Sequence, residues 1–137
     1  MLGLAITLST PQSEMQWEFI VSHFCPDRVE LLGDVPATGK EFLKHTAELP
    51  ADTVRVFMSP PNAAKVPGTV PLNEFEHPEN ALYIFGSDNK HTEEMEADHY
   101  VYIPSKGHAE MYSWVAGAIT LWDREHGKSD NRQQNLG

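Results

Sequence analysis

The sequence predicts an α/β fold with a mostly parallel sheet flanked by helices, and three observations predict it. Apolar, β-branched runs of strand length alternate along the chain with segments of helical periodicity. Two of these runs, Ala81 to Phe85 and Tyr100 to Ile103, stop at Gly86 and Pro104, so two strand ends point their loops the same way. The last apolar segment places Val115, Ala118, Ile119 and Trp122 on one helical face at i, i+3, i+4 and i+7. Loops gathered at the carboxyl ends of parallel strands are where open α/β sheets bind ligands.

Taken in order, Leu2 to Leu8 reads as the first strand. Ser13-Glu14-Met15-Gln16 has the form of a capping box, with Ser13 capping and Gln16 reaching back. The helix it opens sets Trp17, Ile20, Val21 and Phe24 on one face and stops before Pro26. Arg28 to Leu32 is a short strand and Gly33 to Gly39 is rich in turn formers. Gly39 to Leu49 reads as a short, weak helix with Phe42, Leu43 and Thr46 inward, and Thr53 to Met58 as a third strand. Five prolines between Ser59 and Pro78 disfavour both sheet and long helix there, with Leu72 to Phe75 expected to tuck against the core. The final helix runs to about His126 and ends at Gly127. Residues 1–128 thus read as one domain and 129–137 as a flexible polar tail, with no repeat and no domain boundary.

The chain's 137 residues, 40 % of them hydrophobic, suffice for one real core without staples. Cys25 is the only cysteine, so no internal disulfide forms, and its simplest reading is a small buried apolar residue. Every apolar run is strand-sized, far below the roughly 20 residues that cross a bilayer, and Met1 to Leu8 lacks the basic lead of a signal peptide. A soluble, cytoplasmic protein is expected. The formal net charge of −10 is unfavourable for nucleic acid, because phosphate neutralisation supplies most non-specific affinity. DNA binding is not expected; for RNA the charge calls for a local patch, a dimer that joins two patches, or a partner protein supplying basic surface.

Ala81-Leu82-Tyr83-Ile84-Phe85-Gly86-Ser87-Asp88, then Ile103-Pro104, then a small-residue-rich helix resembles the C-terminal signature of SpoU-type (SPOUT) RNA methyltransferases. The resemblance is close over Ala81 to Asp123 and extends through the order of the earlier elements to about three quarters of the chain. It implies a deep C-terminal trefoil knot, a homodimer, S-adenosyl-L-methionine or S-adenosyl-L-homocysteine in the knot, and ribose 2′-O-methylation of a tRNA or rRNA. Periodicity alone gives a flavodoxin-like or Rossmann-like sheet, so the knot rests on the resemblance. The cofactor-binding residues it implies are Met58, Ser59, Phe85, Gly86, Ile103, Ser105 and Met111.

Three family motifs are altered. Pro11 to Trp17 stands where the family carries Asn, Gly and Arg; Asp88 is followed by Asn89-Lys90-His91-Thr92 instead of a Gly-Leu-Ser turn; and Glu110-Met111-Tyr112 replaces Ser-Leu-Asn. The catalytic candidates are therefore Tyr112, in the place of the Asn and able to donate a hydrogen bond, and Asp88, able to meet a hydroxyl or a positive group. Lys90, Lys106 and His108 are the candidates for RNA contact. The same losses support an alternative, a catalytically weakened SPOUT domain that binds the cofactor or a protein partner. No metal is expected: Glu74, Glu76 and His77, like Glu94, Glu96, Asp98 and His99, read as solvated groups. The chain holds no G-x-G-x-x-G, Walker or G-x-S-x-G pattern.

Overall fold

The computed structural model describes residues 1–8, 10–32, 47–59, 67–86, 96–107 and 111–127. Strands β1 (Leu2–Ile6), β2 (Arg28–Leu31), β3 (Val54–Ser59), β4 (Val70–Pro71), β5 (Ala81–Phe85) and β6 (His99–Tyr102) form one sheet in the order β2-β1-β5-β3-β6-β4. Every pairing is parallel. Helix α1 (Pro11–Phe24) joins β1 to β2, and α2 (Ser113–Trp122) follows β6. The α/β class and the parallel sheet agree with the sequence, and the ends of the five expected strands differ by no more than two residues. The sixth, β4, corrects the expectation of no sheet between Ser59 and Pro78, its Pro71 being tolerated because β4 is an edge strand.

A parallel sheet must be covered on both faces, and β5 is buried along its whole length for that reason. On one face Leu4, Ile6, Val56, Met58, Tyr83, Phe85 and Val101 pack with Trp17, Ile20 and Val21 of α1 and Trp114 and Leu121 of α2. On the other face Ala5, Phe57, Leu82 and Ile84 form a smaller core covered by Leu32, Leu49, Ala97 and Tyr100. Leu72 is buried and Phe75 packs against the core, as the tucked segment requires. The helix expected over Gly39 to Leu49 falls mostly outside the described residues, and Ala47 to Leu49 is not helical.

Helix α1 starts earlier than its sequence suggests. Thr10, in extended backbone, is the cap: its Oγ1 accepts from Ser13 N at 3.0 Å, and Ser13 Oγ accepts from Thr10 N at 3.0 Å. Ser13 is thus the reciprocal partner in the box and Gln16 takes no part in it. Pro11 in the first turn, where its missing N–H costs nothing, favours this start. Cys25 is also corrected, being exposed at the end of α1 in left-handed backbone (φ 49°). Its place as the residue that terminates the helix turns it outward.

The larger correction concerns α2. Its inward residues are Ser113, Trp114, Gly117, Thr120 and Leu121, while Val115, Ile119 and Trp122 are exposed. Gly117 decides this, because a Cβ there would lie 2.5 Å from Cη2 of the fully buried Trp17. Only the bare backbone lets α2 approach α1 so closely. Gly117→Val should therefore lower stability by about 2 kcal/mol, the cost of overpacking a filled core, read from the midpoint of urea unfolding.

Candidate functional site

The neighbouring strands β5, β3 and β6 end together at the carboxyl edge, with Met58 beside Phe85 on one side and beside Val101 on the other. Alternation along the strands divides the expected cofactor residues between faces. Met58 and Phe85 turn their side chains into the helix-covered core, and Ile103 packs against it. These three can offer a ligand little beyond backbone. Ser59 and Gly86 carry the opposite parity, that of Phe57 and Ile84. Ser59 pairs in register with Tyr102, which is half-buried.

Ser105 and Lys106 are exposed in the turn after β6, and Met111 is half-buried just before α2. Tyr112 is 56 % exposed and its ring lies flat on Trp114, with centroids 4.4 Å apart and planes 6° off parallel. The ring thus packs at the helix start. Asp88, Lys90 and His108 lie outside the described residues. A groove of about 430 Å³ lined by Pro50, Thr53, Arg55, Glu96 and Asp98 sits at the amino end of β3, away from these loops. Among the described residues no group of three His, Cys, Asp or Glu side chains is arranged to hold a metal ion.

One polar cluster went unread in the sequence. His77 Nδ1 lies 2.6 Å from Tyr83 Oη and His77 Nε2 lies 2.7 Å from Asp123 Oδ2. Arg124 Nη1 donates to Tyr83 Oη at 3.0 Å and to the Pro78 carbonyl at 2.6 Å, while its Nη2 donates to Glu79 O at 2.8 Å. A neutral imidazole protonated on Nε2 satisfies the set, with Tyr83 donating to Nδ1 and Asp123 accepting from Nε2. His77 therefore turns inward and is not the solvated group expected. Asp123 and Arg124 open a π-helical turn, Asp123–Gly127, that continues α2. Burial of Tyr83 raises its phenol above the ordinary value of 10.0, against the lowering effect of Arg124. The folded state then holds the proton more tightly than the unfolded chain, so this contribution is full below pH 10 and is lost as pH rises beyond it. Tyr83 is wholly buried, so no substrate reaches it, and the cluster's work is to fasten the C-terminal turn to the 75–80 segment and β5. Nothing in local spacing joins residues 77, 83, 123 and 124.

The outer face of α2 is apolar, and α1 adds two exposed apolar side chains, Met15 and Phe19, among polar ones. Met15, Phe19, Tyr112, Val115, Ile119 and Trp122 are exposed, Phe19 to 65 % and Trp122 to 51 %. No charged residue interrupts α2 from Ser113 to Trp122. Six large side chains at such exposure present on the order of several hundred Å² of apolar surface, about the limit for a monomer. A homodimer packed through the first and last helices is expected from the sequence to use Trp17, Ile20, Val21, Phe24, Trp114, Leu121 and Trp122. Five of these, Trp17, Ile20, Val21, Trp114 and Leu121, are buried within the chain, whereas Trp122 is exposed. Among the described residues no helix is long and apolar enough to cross a membrane. No family model, no curated protein and no solved structure matches this chain.

Proposed function

We propose that the chain is an S-adenosylmethionine-dependent RNA methyltransferase of the SPOUT type, acting on a ribose 2′-hydroxyl of a tRNA or rRNA as a homodimer. The observation that carries this reading is the convergence of Ser59, Gly86 and Ile103 at the carboxyl edge of three adjacent strands that are not consecutive in the chain. Insertion of β6 between β3 and β4, after both have been laid down, is compatible with the C-terminal knot that the resemblance implies.

The residues present fit the cofactor. Gly86 lets a ligand lie against the backbone, the ends of β3, β5 and β6 offer main-chain groups, and the buried hydroxyl of Ser59 has no partner among the described residues. Bound there, the cofactor supplies a methyl group activated by its sulfonium. The chain's part is positioning: backbone beyond Met58, Phe85 and Ile103 fixes the nucleoside, and exposed Lys106 meets an RNA phosphate. Tyr112, standing where the family carries Asn, is the side chain assigned to hold a ribose hydroxyl. Gly86→Val should abolish S-adenosylhomocysteine binding in calorimetry while the unfolding midpoint stays near that of the wild type.

The second reading is a cofactor-binding or partner-binding module. Two observations favour it: the Tyr112 ring is committed to Trp114, and the start of α1 offers Met15 and Trp17 where the family carries polar groups. Cofactor binding without transfer of labelled methyl to total cellular RNA, with extract added to supply a basic partner, decides for this module.

A further inference from the structure

We infer that the Ser59 hydroxyl is the contact that holds a sugar hydroxyl of the bound nucleoside, on the face of the sheet away from α1 and α2; the inference rests on the cofactor-binding reading above. Among the described residues two buried side-chain polar atoms have no hydrogen-bond partner, Trp17 Nε1 and Ser59 Oγ. Trp17 is sealed in the core between α1 and α2, against Phe85. Ser59 instead ends β3 at the carboxyl edge and is 8 % exposed. An unsatisfied buried hydroxyl destabilises a fold by about 1–3 kcal/mol, and alanine would fill this strand position without that cost. A group that weakens the chain alone and stands at the ligand edge gains its partner from the ligand.

The surroundings select the kind of partner. Tyr102 flanks Ser59 in register on one side, and continuing the register of β3 with β5 sets Gly86, which brings no side chain, on the other. The charged residue that shares its strand and face, Arg55, lies at the opposite end of β3. A buried ammonium or carboxylate would need a countercharge that this row does not supply. A sugar hydroxyl both donates and accepts, as the serine hydroxyl does, and needs none.

The experiment is calorimetry of the full chain and of Ser59→Ala with S-adenosylhomocysteine, adenosine, 2′-deoxyadenosine and 3′-deoxyadenosine, with the unfolding temperature of each ligand-free protein. Ser59→Ala should bind S-adenosylhomocysteine and adenosine about tenfold more weakly, yet unfold a few degrees higher when ligand-free. One deoxy analogue should bind the wild type about tenfold more weakly than adenosine and bind both proteins alike. Equal affinity of both proteins for S-adenosylhomocysteine overturns the inference and makes Ser59 a packing defect. If Ser59→Ala does not fold, the wild type decides alone: equal affinity for adenosine and both deoxy analogues overturns it. A wild type that binds no S-adenosylhomocysteine refutes the cofactor reading itself, before the serine is reached.

Discussion

Ile119→Asp combined with Trp122→Asp should convert the proposed homodimer to a monomer. Light scattering at micromolar concentration should fall from twice the 15.4 kDa chain mass to that mass itself, with the helical signal unchanged. Both side chains stand on the outward face of α2, so neither replacement disturbs the packing of Trp114, Gly117 or Leu121. A two-fold interface uses the same patch on both copies, so each aspartate pair is buried twice and faces its own like charge. Loss of an apolar contact and burial of unpaired carboxylates together cost several kcal/mol, ample to dissociate a dimer of moderate affinity. Added salt should strengthen the wild-type dimer, since two chains of net charge −10 repel outside an uncharged contact. A wild type that is already monomeric at that concentration contradicts the dimer and any site built across two copies.

His77→Ala should lower stability by about 3–5 kcal/mol, a large share of what a domain of this size possesses. The ring is nearly buried, bonds Tyr83 through one nitrogen and Asp123 through the other, and packs edge-on against Phe75 at 5.4 Å. Its removal leaves a cavity, an unpaired carboxylate, and a phenol that keeps only the Arg124 bond. Asp123→Ala should lose about 2–3 kcal/mol, and the double variant less than the sum, because both remove the same bond. Urea unfolding of the four proteins measures that coupling. Additive losses would mean that the 2.7 Å contact between His77 and Asp123 does not bind the C-terminal turn to the rest.

Strands β1, β3, β5 and β6 were legible as apolar runs, two of them closed by a residue with a fixed steric meaning, as Gly86 ends β5, whereas β4, two residues inside a proline-rich segment, was not. Their spatial order was not, since nothing local tells β6 to lie between β3 and β4. In α2 the outward stripe is the more apolar one, while the inward stripe mixes Trp114 and Leu121 with Ser113, Gly117 and Thr120, so periodicity alone pointed to the wrong face. The choice was made at Gly117, whose meaning depends on a tryptophan a hundred residues earlier. For the site, sequence reading reached the edge where Ser59 and Gly86 meet, but not that Met58 and Phe85 face the core. It also missed the His77 cluster, whose members come from three separate segments.

Titration of the wild-type protein with S-adenosylhomocysteine tests the central claim most directly. The account predicts saturable heat with one ligand per chain, and an unfolding temperature that climbs with ligand concentration as a native-state ligand demands. No heat and no shift in unfolding temperature, at millimolar ligand and with the dimer intact, would contradict it.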